Sequence, residues 1–347
     1  MAKPLKLGFN TGYWAGGPPP GIDETIAEAE RLGVDSIWAA EAYGSDCLTP
    51  LAWWGAATER VKLGSAIVQM SARQPAATAM AAMTLDHLSG GRFILGLGVS
   101  GPQVVEGWYG MPFEKPLART REYIKILRDI WAREGPVTNE GPHYPLPLPG
   151  GTGLGKPLKS SIHPLREEIP IYLGAEGPKN IGLCAELCDG WLAMLFSPRH
   201  QEFYSDALDE GFAREGARRE REDFEVAVMV PLIVSDDVEQ AADALRPYYA
   251  LYFGGMGAKG KNFHANVAIR MGYEAEVAQI QDLYLDGKKR EAEAKVPREL
   301  IEDLSLIGPP DKIRHDLEPW RESIATTLLI GGDAATLRTA AELVLGS

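Results

Sequence analysis

Three glycines with the spacing of a dinucleotide-binding loop are the first candidates for chemistry. Gly96, Gly98 and Gly101 follow an apolar run and match the G-x-G-x-x-G pattern that holds a pyrophosphate at a helix N-terminus. Such a site also needs a helix that opens at the glycines and an acidic residue about 20 residues further on. Glycine and proline between positions 107 and 112 interrupt that helix, and residues 119–125 have a helical pattern. We therefore interpret the run as a loop at the carboxyl end of a strand, whose bare backbone can contact a planar ring.

A second candidate for ligand binding is the turn at residues 174–180, with the sequence GAEGPKN. An apolar run ends there and a helical pattern begins at Pro178. Free N–H groups and the positive end of the helix dipole make such a helix N-terminus suitable for a phosphate. An ordinary tight turn explains the same residues equally well, so the pattern alone leaves both interpretations open.

Metal ligands and disulfide partners are scarce in this chain. Cys47, Cys184 and Cys188 are too few for a disulfide framework, and the pair at 184 and 188 fits helix packing better than metal binding. The six histidines are scattered. We therefore expect no metal site, and we expect a structural or surface role for a single histidine such as His87 or His264.

Charge and hydropathy argue against two classes of partner. The net charge is −13 without a block of like charges, whereas a nucleic-acid-binding protein needs a basic face. No stretch approaches the roughly 20 apolar residues of a membrane span, and the start MAKPLKLGFN is not typical of a signal peptide. We expect a cytoplasmic enzyme with a small-molecule substrate and no nucleic-acid or membrane partner.

The elements that position these residues alternate regularly between strand and helix. Near-continuous apolar runs predict parallel strands buried on both faces; they are Leu5–Asn10, Val34–Ala40, Val61–Val68, Arg92–Gly98, Ile169–Ala175, Asp189–Leu195, Phe224–Ser235 and Thr326–Gly331. The helices predicted between them are Asp23–Leu32, Pro50–Glu59, Pro75–Leu88, Pro116–Arg133, Pro178–Leu187, Pro198–Arg214, Asp237–Phe253 and Pro309–Arg321. Eight such repeats predict an α/β fold, a closed (β/α)₈ TIM barrel, with an open doubly wound sheet as the alternative.

The length of 347 residues fits a single barrel domain over residues 1–347, with insertions near 135–168 and 254–307. The first insertion is rich in proline and glycine, which predicts a long surface loop or lid. The second contains polar helices such as Glu274–Asp286. Because insertions after barrel strands lie over the active site, we expect both to help enclose the substrate.

Four segments in order along the chain resemble the F420-dependent branch of the bacterial-luciferase-like oxidoreductases. They are IWAAEAYGSD at 37–46, LGSAIV at 63–68, GGRFILGLGVSGPQVVEGWYG at 90–110 and GAEGPKNIGLCAELCDGW at 174–191. The resemblance implies a luciferase-like TIM barrel, a homodimer, and the deazaflavin coenzyme F420 bound across the carboxyl ends of the strands.

The resemblance also implies roles for individual residues. Ala66–Ile67 matches a bulge with a non-prolyl cis peptide that backs the deazaflavin ring, and Ala175–Gly177 matches the backbone turn that receives the cofactor phosphate. The residues expected to contact the cofactor are Glu41, Ala66, Ile67, Gln69, Ser100, Gly101, Ala175, Glu176 and Gly177.

The loop after the second strand departs from the family pattern. Many relatives carry an acidic residue followed by the histidine that handles the proton, whereas here Glu41 is followed by Ala42. Glu41 is therefore the candidate catalytic residue, either for proton handling or for orienting the ring. Tyr43 and Asp46 in the same loop are possible substitutes.

The function expected from the resemblance is an F420-dependent oxidoreductase that transfers a hydride between the deazaflavin and a small organic substrate. The alternatives are an FMN-dependent luciferase-like monooxygenase, a non-catalytic (deaza)flavin-binding barrel, and a metal-free barrel lyase or isomerase. Because F420 carries an oligoglutamate tail, we expect cations near the phosphate turn; the candidates are Arg73, Lys156, Lys159 and Lys179.

Overall fold

The computed structural model describes residues 4–257 and 262–346, and its centre is a closed barrel of eight parallel strands. The strands are β1 (Lys6–Asn10), β2 (Ser36–Ala39), β3 (Lys62–Ser65), β4 (Val68–Gln69), β5 (Phe93–Gly98), β6 (Ile171–Gly174), β7 (Gly190–Ala193), β8 (Glu225–Met229), β9 (Leu232–Val234), β10 (Leu306–Gly308) and β11 (Thr327–Ile330). β3 and β4 are two parts of the third barrel strand, and the pairing of β3 with β5 closes the ring. β9 and β10 pair with each other outside the barrel. The predicted barrel is confirmed, and the open-sheet alternative is wrong.

Helices surround the barrel and follow most of its strands. They are α1 (Ile22–Leu32), α2 (Leu48–Ala56), α3 (Pro75–Leu88), α4 (Pro102–Gly107), α5 (Pro116–Ala132), α6 (Pro178–Leu187), α7 (Glu202–Phe212), α8 (Val238–Ala250), α9 (Phe263–Arg270), α10 (Glu274–Leu285), α11 (Lys289–Glu293), α12 (Arg298–Leu304), α13 (Pro310–Glu322) and α14 (Ala334–Leu345). Short 3₁₀ turns at Pro198–His200 and Arg221–Asp223 precede α7 and β8, and a π-helical turn at Leu251–Gly255 extends α8. No helix within residues 4–257 and 262–346 is long and apolar enough to cross a membrane.

The last helix was not predicted from the sequence. α14 begins after Asp333, whose side chain accepts a hydrogen bond from the backbone N–H of Thr336 and caps the helix. It packs on α1 and β1, and so covers the junction between the first and last strands of the barrel. It has no proline in its first turn, the signal that marked many of the predicted helices.

One extra residue interrupts the third barrel strand between β3 and β4. Leu63 pairs with Phe93 and Val68 pairs with Leu97, so five steps along the third strand match four steps along β5. The surplus lies at Ala66–Ile67, whose peptide bond is cis as the resemblance implied.

The side chain of Ser65 bridges this interruption. Its Oγ donates to the carbonyl oxygen of Gly96 and accepts from the Gly96 N–H, both at 2.9 Å. These buried backbone groups of Gly96 therefore stay paired at the bulge, which preserves the closure of the barrel.

The same bulge explains two glycines of the G-x-G-x-x-G run. A Cβ on Gly96 would lie 1.8 Å from the carbonyl oxygen of Ser65, and a Cβ on Gly98 would lie 2.4 Å from Cδ1 of Ile67. The helix that follows, α4, has only six residues. The dinucleotide interpretation is therefore wrong. At these two positions the absence of a side chain allows the third strand to approach closely, where we had expected a planar ring.

The segment 135–168 is a long irregular connection, as predicted, but it does not border the main cavity of the barrel. Because it follows a helix, it starts from the amino-terminal side of the barrel and runs along the flank of α5, where Glu122 accepts hydrogen bonds from the backbone of His143 and Tyr144. It returns to Arg166, which contacts Asp86 and the carbonyl oxygen of Phe93 at the start of β5. Tyr144 of this segment lines a small pocket with Met70, Ser71 and Val99, beside the predicted cofactor residues, and the role of the segment in enclosing the substrate stays a prediction.

The second insertion does lie at the carboxyl end of the barrel, with residues 258–261 outside the described residues. Its helices form an apolar core of their own with α8 and the π-helical turn, including Tyr249, Phe253, Ile280 and Leu300. The chain leaves the barrel at Pro231 and returns through β10, where the Leu306 N–H donates to the carbonyl oxygen of Pro231.

The bridge at the bulge generates a stability prediction. Ser65→Ala leaves the Gly96 N–H and C=O buried without a side-chain partner, so we expect the free energy of unfolding to fall by about 1–3 kcal/mol. Chemical denaturation of the apoprotein measures this change. Ser71→Ala is the matched control, since the buried Ser71 hydroxyl makes no hydrogen bond within the described residues and its removal should change stability little. Equal losses in both variants would contradict the bridging role.

Candidate functional site

The residues predicted to contact a cofactor all lie at the carboxyl ends of four neighbouring barrel strands. Glu41 follows β2, Ala66 and Ile67 form the bulge, and Gln69 ends β4. Ser100 and Gly101 follow β5, and Ala175, Glu176 and Gly177 follow β6. The fold therefore brings the predicted set to one half of the barrel mouth, although it does not test their contacts with a ligand.

Glu41 is buried in an ion pair with Arg73. The Arg73 guanidinium donates to both carboxylate oxygens of Glu41, at 2.6 and 2.9 Å, and the side chain of Glu41 is only 3% exposed. The same carboxylate accepts from the backbone N–H groups of Cys47 and Gln69 at 3.2 and 3.3 Å. Burial alone would lower the pKa of Arg73, but its hydrogen bonds to Glu41, together with the negative charges around it, raise the pKa above its ordinary value.

This pair holds together the loops that follow the second and third strands. Besides the contacts of Glu41, the Gln69 side-chain amide donates to the carbonyl oxygens of Glu41 and Ala42 at 3.2 and 3.3 Å. The Tyr109 hydroxyl donates to the same Ala42 oxygen at 3.2 Å. With both of its oxygens engaged, Glu41 suits the orienting role better than the proton-handling role; its catalytic assignment stays a prediction.

The two substitutes in the same loop differ in position. Asp46 caps α2, because its Oδ1 accepts from the N–H groups of Leu48 and Thr49 at 2.9 and 2.8 Å. Tyr43 is exposed and lines the large cavity described below. Of the two, only Tyr43 faces a space that a substrate can enter.

The turn at Ala175–Gly177 sits at the N-terminus of α6, with Gly177 as the capping residue and no side-chain cap. The buried Oδ1 of Asn180 in the first turn of this helix has no hydrogen-bond partner in the described residues. Arg270 of α9 donates to the Glu176 carbonyl oxygen at 3.4 Å. An anion at this helix end would thus lie beside a cation that the sequence reasoning missed.

His264 also has a position that the sequence did not predict, because we had expected only a structural or surface role for it. Its Nδ1 lies 2.6 Å from Oε1 of Glu176, and its ring is nearly perpendicular to that of Tyr252, with centroids 4.9 Å apart. Glu176 and His264 are 88 positions apart in the chain, and no local pattern connects them. Only the folded insertion brings them together.

Three of the four candidate cations do not lie free at the phosphate turn. Arg73 is committed to Glu41, and Lys159 lies 3.5 Å from the carbonyl oxygen of Glu134, at the far end of α5. Lys156 belongs to the same flanking segment and is exposed. Lys179, exposed in the first turn of α6, is the candidate that the structure leaves beside the turn.

A large cavity lies at the barrel mouth beside the predicted cofactor residues, and the loop after β2 belongs to both. Its volume is about 780 Å³, and it lies between the loops after β1, β2, β8 and β11 and the underside of α8 with its π-helical turn. Met229 and Leu329 form part of its floor, and both also belong to the apolar cluster that contains Ala66 and Ile67. The bulge and the floor of this cavity therefore belong to one apolar cluster inside the barrel.

Comparisons with known proteins agree with this architecture. The family model described as luciferase-like monooxygenase matches residues 9–327. A protein of Mycobacterium tuberculosis named as a coenzyme F420-dependent oxidoreductase is 54% identical over 99% of this chain and 100% of its own length. The 5,10-methylenetetrahydromethanopterin reductase of Archaeoglobus fulgidus is 29% identical over 89% of each chain. The solved structure of the coenzyme F420-dependent tetrahydromethanopterin reductase of Methanopyrus kandleri superposes with a TM-score of 0.81 at 23% identity, covering 100% of this chain and 99% of that one.

The ion pair of Glu41 generates a prediction that separates its two possible roles. Glu41→Gln keeps the shape but leaves Arg73 half-buried without a counter-charge, so we expect a loss of about 3 kcal/mol in the free energy of unfolding. Asp129→Asn, in the exposed pair with Lys125, is the control and should lose about 0–1 kcal/mol. If Glu41→Gln were fully stable but lacked one limb of the pH–rate profile, Glu41 would be a proton-handling residue instead.

Proposed function

The chain belongs to the luciferase-like monooxygenase family, as its sequence predicted, and on that premise we propose that it is a coenzyme F420-dependent oxidoreductase. The observation that carries the proposal is the 54% identity, over the full length, to a protein named as such an enzyme. The reaction would be hydride transfer between the deazaflavin and a small organic substrate. A deazaflavin carries two electrons as a hydride and reacts poorly with oxygen, so reduction or dehydrogenation is expected.

Unpaired polar atoms at the barrel mouth fit such a cofactor. Gln69 Oε1, Ser71 Oγ and Asn180 Oδ1 are buried, and none has a hydrogen-bond partner within residues 4–257 and 262–346. Buried polar atoms normally find partners, so these three match a ligand that brings its own donors and acceptors. Gln69 ends β4 and Ser71 follows it, beside the bulge, and Asn180 lies in the first turn of α6, beside the phosphate turn.

The residues of the chain would divide the work at this site. Ala66 and Ile67 present an apolar surface inside the barrel, where they exclude water from a ring placed against them. The Glu41–Arg73 pair joins the loop that carries Ala42 to the end of β4, where Gln69 lies, so that the polar end of Gln69 is held in one orientation. The backbone N–H groups at the start of α6 would receive the phosphate, and Arg270 and Lys179 would meet the acidic tail.

Two further proposals concern the setting of the enzyme. A homodimer is supported by Trp53 on α2 and Met80 on the adjacent α3, which are 68% and 60% exposed. Sedimentation at micromolar concentration should give the mass of two chains, and a monomer would reject this part.

A cytoplasmic location is supported by three free cysteines, which suit a reducing compartment, and detection in a secreted fraction would contradict it.

The choice of cofactor is tested by titrating the purified protein with F420 and with FMN and following fluorescence quenching. We expect F420 to bind more tightly at low salt, and its affinity to fall as salt rises, more steeply for longer tails, because exposed charge contacts are screened. Tighter binding of FMN would replace the proposal with an FMN-dependent monooxygenase. F420 binding without reduction or oxidation of any substrate would favour a cofactor-holding barrel.

Phosphate capture by backbone N–H groups makes a separate prediction for the turn. Gly177 has φ −87° and ψ 148°, which proline can adopt, so Gly177→Pro removes one N–H with little strain. We expect F420 affinity to fall about tenfold, the effect of one hydrogen bond to a charged group. Glu176→Ala is the comparison and should leave the affinity nearly unchanged, because its side chain is not the donor. Unchanged affinity in the Gly177 variant would reject this assignment.

A further inference from the structure

The lining of the large cavity has an unusual charge distribution for so acidic a protein. The chain has a net charge of −13, yet among the described residues that line the cavity no side chain is charged. Aliphatic and aromatic side chains dominate, with Met229, Leu232, Ile233, Leu245 and Leu251 on one side. A carboxylate or phosphate that entered this space would lose its hydration without gaining a counter-ion, which is costly.

The polar side chains of the cavity include three tyrosines that contact one another, besides Asn10, Tyr43, Ser45 and Thr336. The Tyr252 hydroxyl interacts with those of Tyr13 and Tyr248, and the rings of Tyr248 and Tyr252 lie 4.7 Å apart. Burial raises the pKa of all three hydroxyls. Although 55% of Tyr13 is exposed, its hydroxyl is enclosed beside Tyr252. All three hydroxyls therefore stay protonated and neutral near pH 7, as hydrogen-bond donors.

The contact between Glu176 and His264 supports these tyrosines from behind. The His264 ring packs nearly perpendicular to the Tyr252 ring, and neither Glu176 nor His264 lines the cavity. The negative charge of Glu176 contributes to raising the pKa of Tyr13, Tyr248 and Tyr252, which strengthens their preference for the neutral form. The pair thus positions a neutral donor in the lining without placing a charge in the cavity.

We propose that this cavity binds the substrate and selects an uncharged, largely apolar molecule, such as a ketone or alcohol with an alkyl or ring body, whose single oxygen accepts a hydrogen bond from Tyr252. This inference rests on the proposed function, which supplies the hydride. The volume of about 780 Å³ is within the range of small-molecule sites and large enough for a molecule of ten or more non-hydrogen atoms. The anionic tail of F420 does not fit this lining, so the cofactor phosphate and tail lie outside this cavity, at the turn after β6.

The experiment is calorimetric titration of the full chain, saturated with F420, using octan-2-one and octanoate as probes of equal chain length. We expect octan-2-one to bind at least tenfold more tightly than octanoate. Leu251→Glu places a carboxylate in the lining and should weaken octan-2-one binding at least tenfold. Leu285→Glu, at an exposed position of α10 outside the cavity, is the matched control and should change nothing.

Tyr252→Phe tests the hydrogen bond separately. It should weaken octan-2-one binding three- to tenfold and leave F420 affinity unchanged. Equal or tighter binding of octanoate, no effect of Tyr252→Phe, or the absence of octan-2-one binding would overturn the inference. Loss of ketone binding on saturation with F420 would assign the cavity to the cofactor and overturn it as well. If F420 does not bind at all, the same titrations on the unloaded protein judge the cavity, and only the proposed function fails.

Discussion

Closure of the barrel depends on the contact between the interrupted third strand and β5. The extra residue at Ala66–Ile67 would leave buried backbone groups of Gly96 unpaired, and the Ser65 hydroxyl supplies both missing hydrogen bonds. The carbonyl oxygen of Ser65 in turn requires a glycine at position 96. Much of the candidate site follows from this one arrangement, because the bulge also sets where Gln69 leaves the barrel and where Arg73 meets Glu41.

The fold was predictable from the sequence because the barrel strands are buried on both faces. Such strands appear in the sequence as short continuous apolar runs, and each predicted run contains a barrel strand. The exact ends were less predictable: the run 224–235 contains two strands, since Pro231 lacks an N–H and the chain turns out of the barrel there. The glycines at 96 and 98 misled for a related reason. The glycine spacing shows where side chains are absent, but it does not show which group occupies the space, here the third strand and not a ligand.

The candidate site was predictable only where it is built from consecutive residues. The bulge at Ala66–Ile67 and the turn at Ala175–Gly177 are local, and the resemblance identified both. Contacts between segments that are distant in the chain could not be predicted from local sequence patterns. For this reason the partner of Glu41 and the contact between Glu176 and His264 were missed. The cations illustrate the same limit, because a positive side chain near a loop in sequence can be committed to a buried carboxylate, as Arg73 is.

The departure of the chain from the barrel at Pro231 has an evolutionary consequence. The segment between β9 and β10 comprises α8, the π-helical turn and the second insertion; it begins and ends at neighbouring points, where β9 and β10 pair, and it has an apolar core of its own. Its residues form one wall of the large cavity, whereas the predicted cofactor residues belong to loops of the barrel. Substitutions in this segment can therefore change which molecules are accepted while the strand pairing of the barrel and the predicted cofactor residues stay the same. One scaffold can in this way diversify its substrates without rebuilding its redox chemistry.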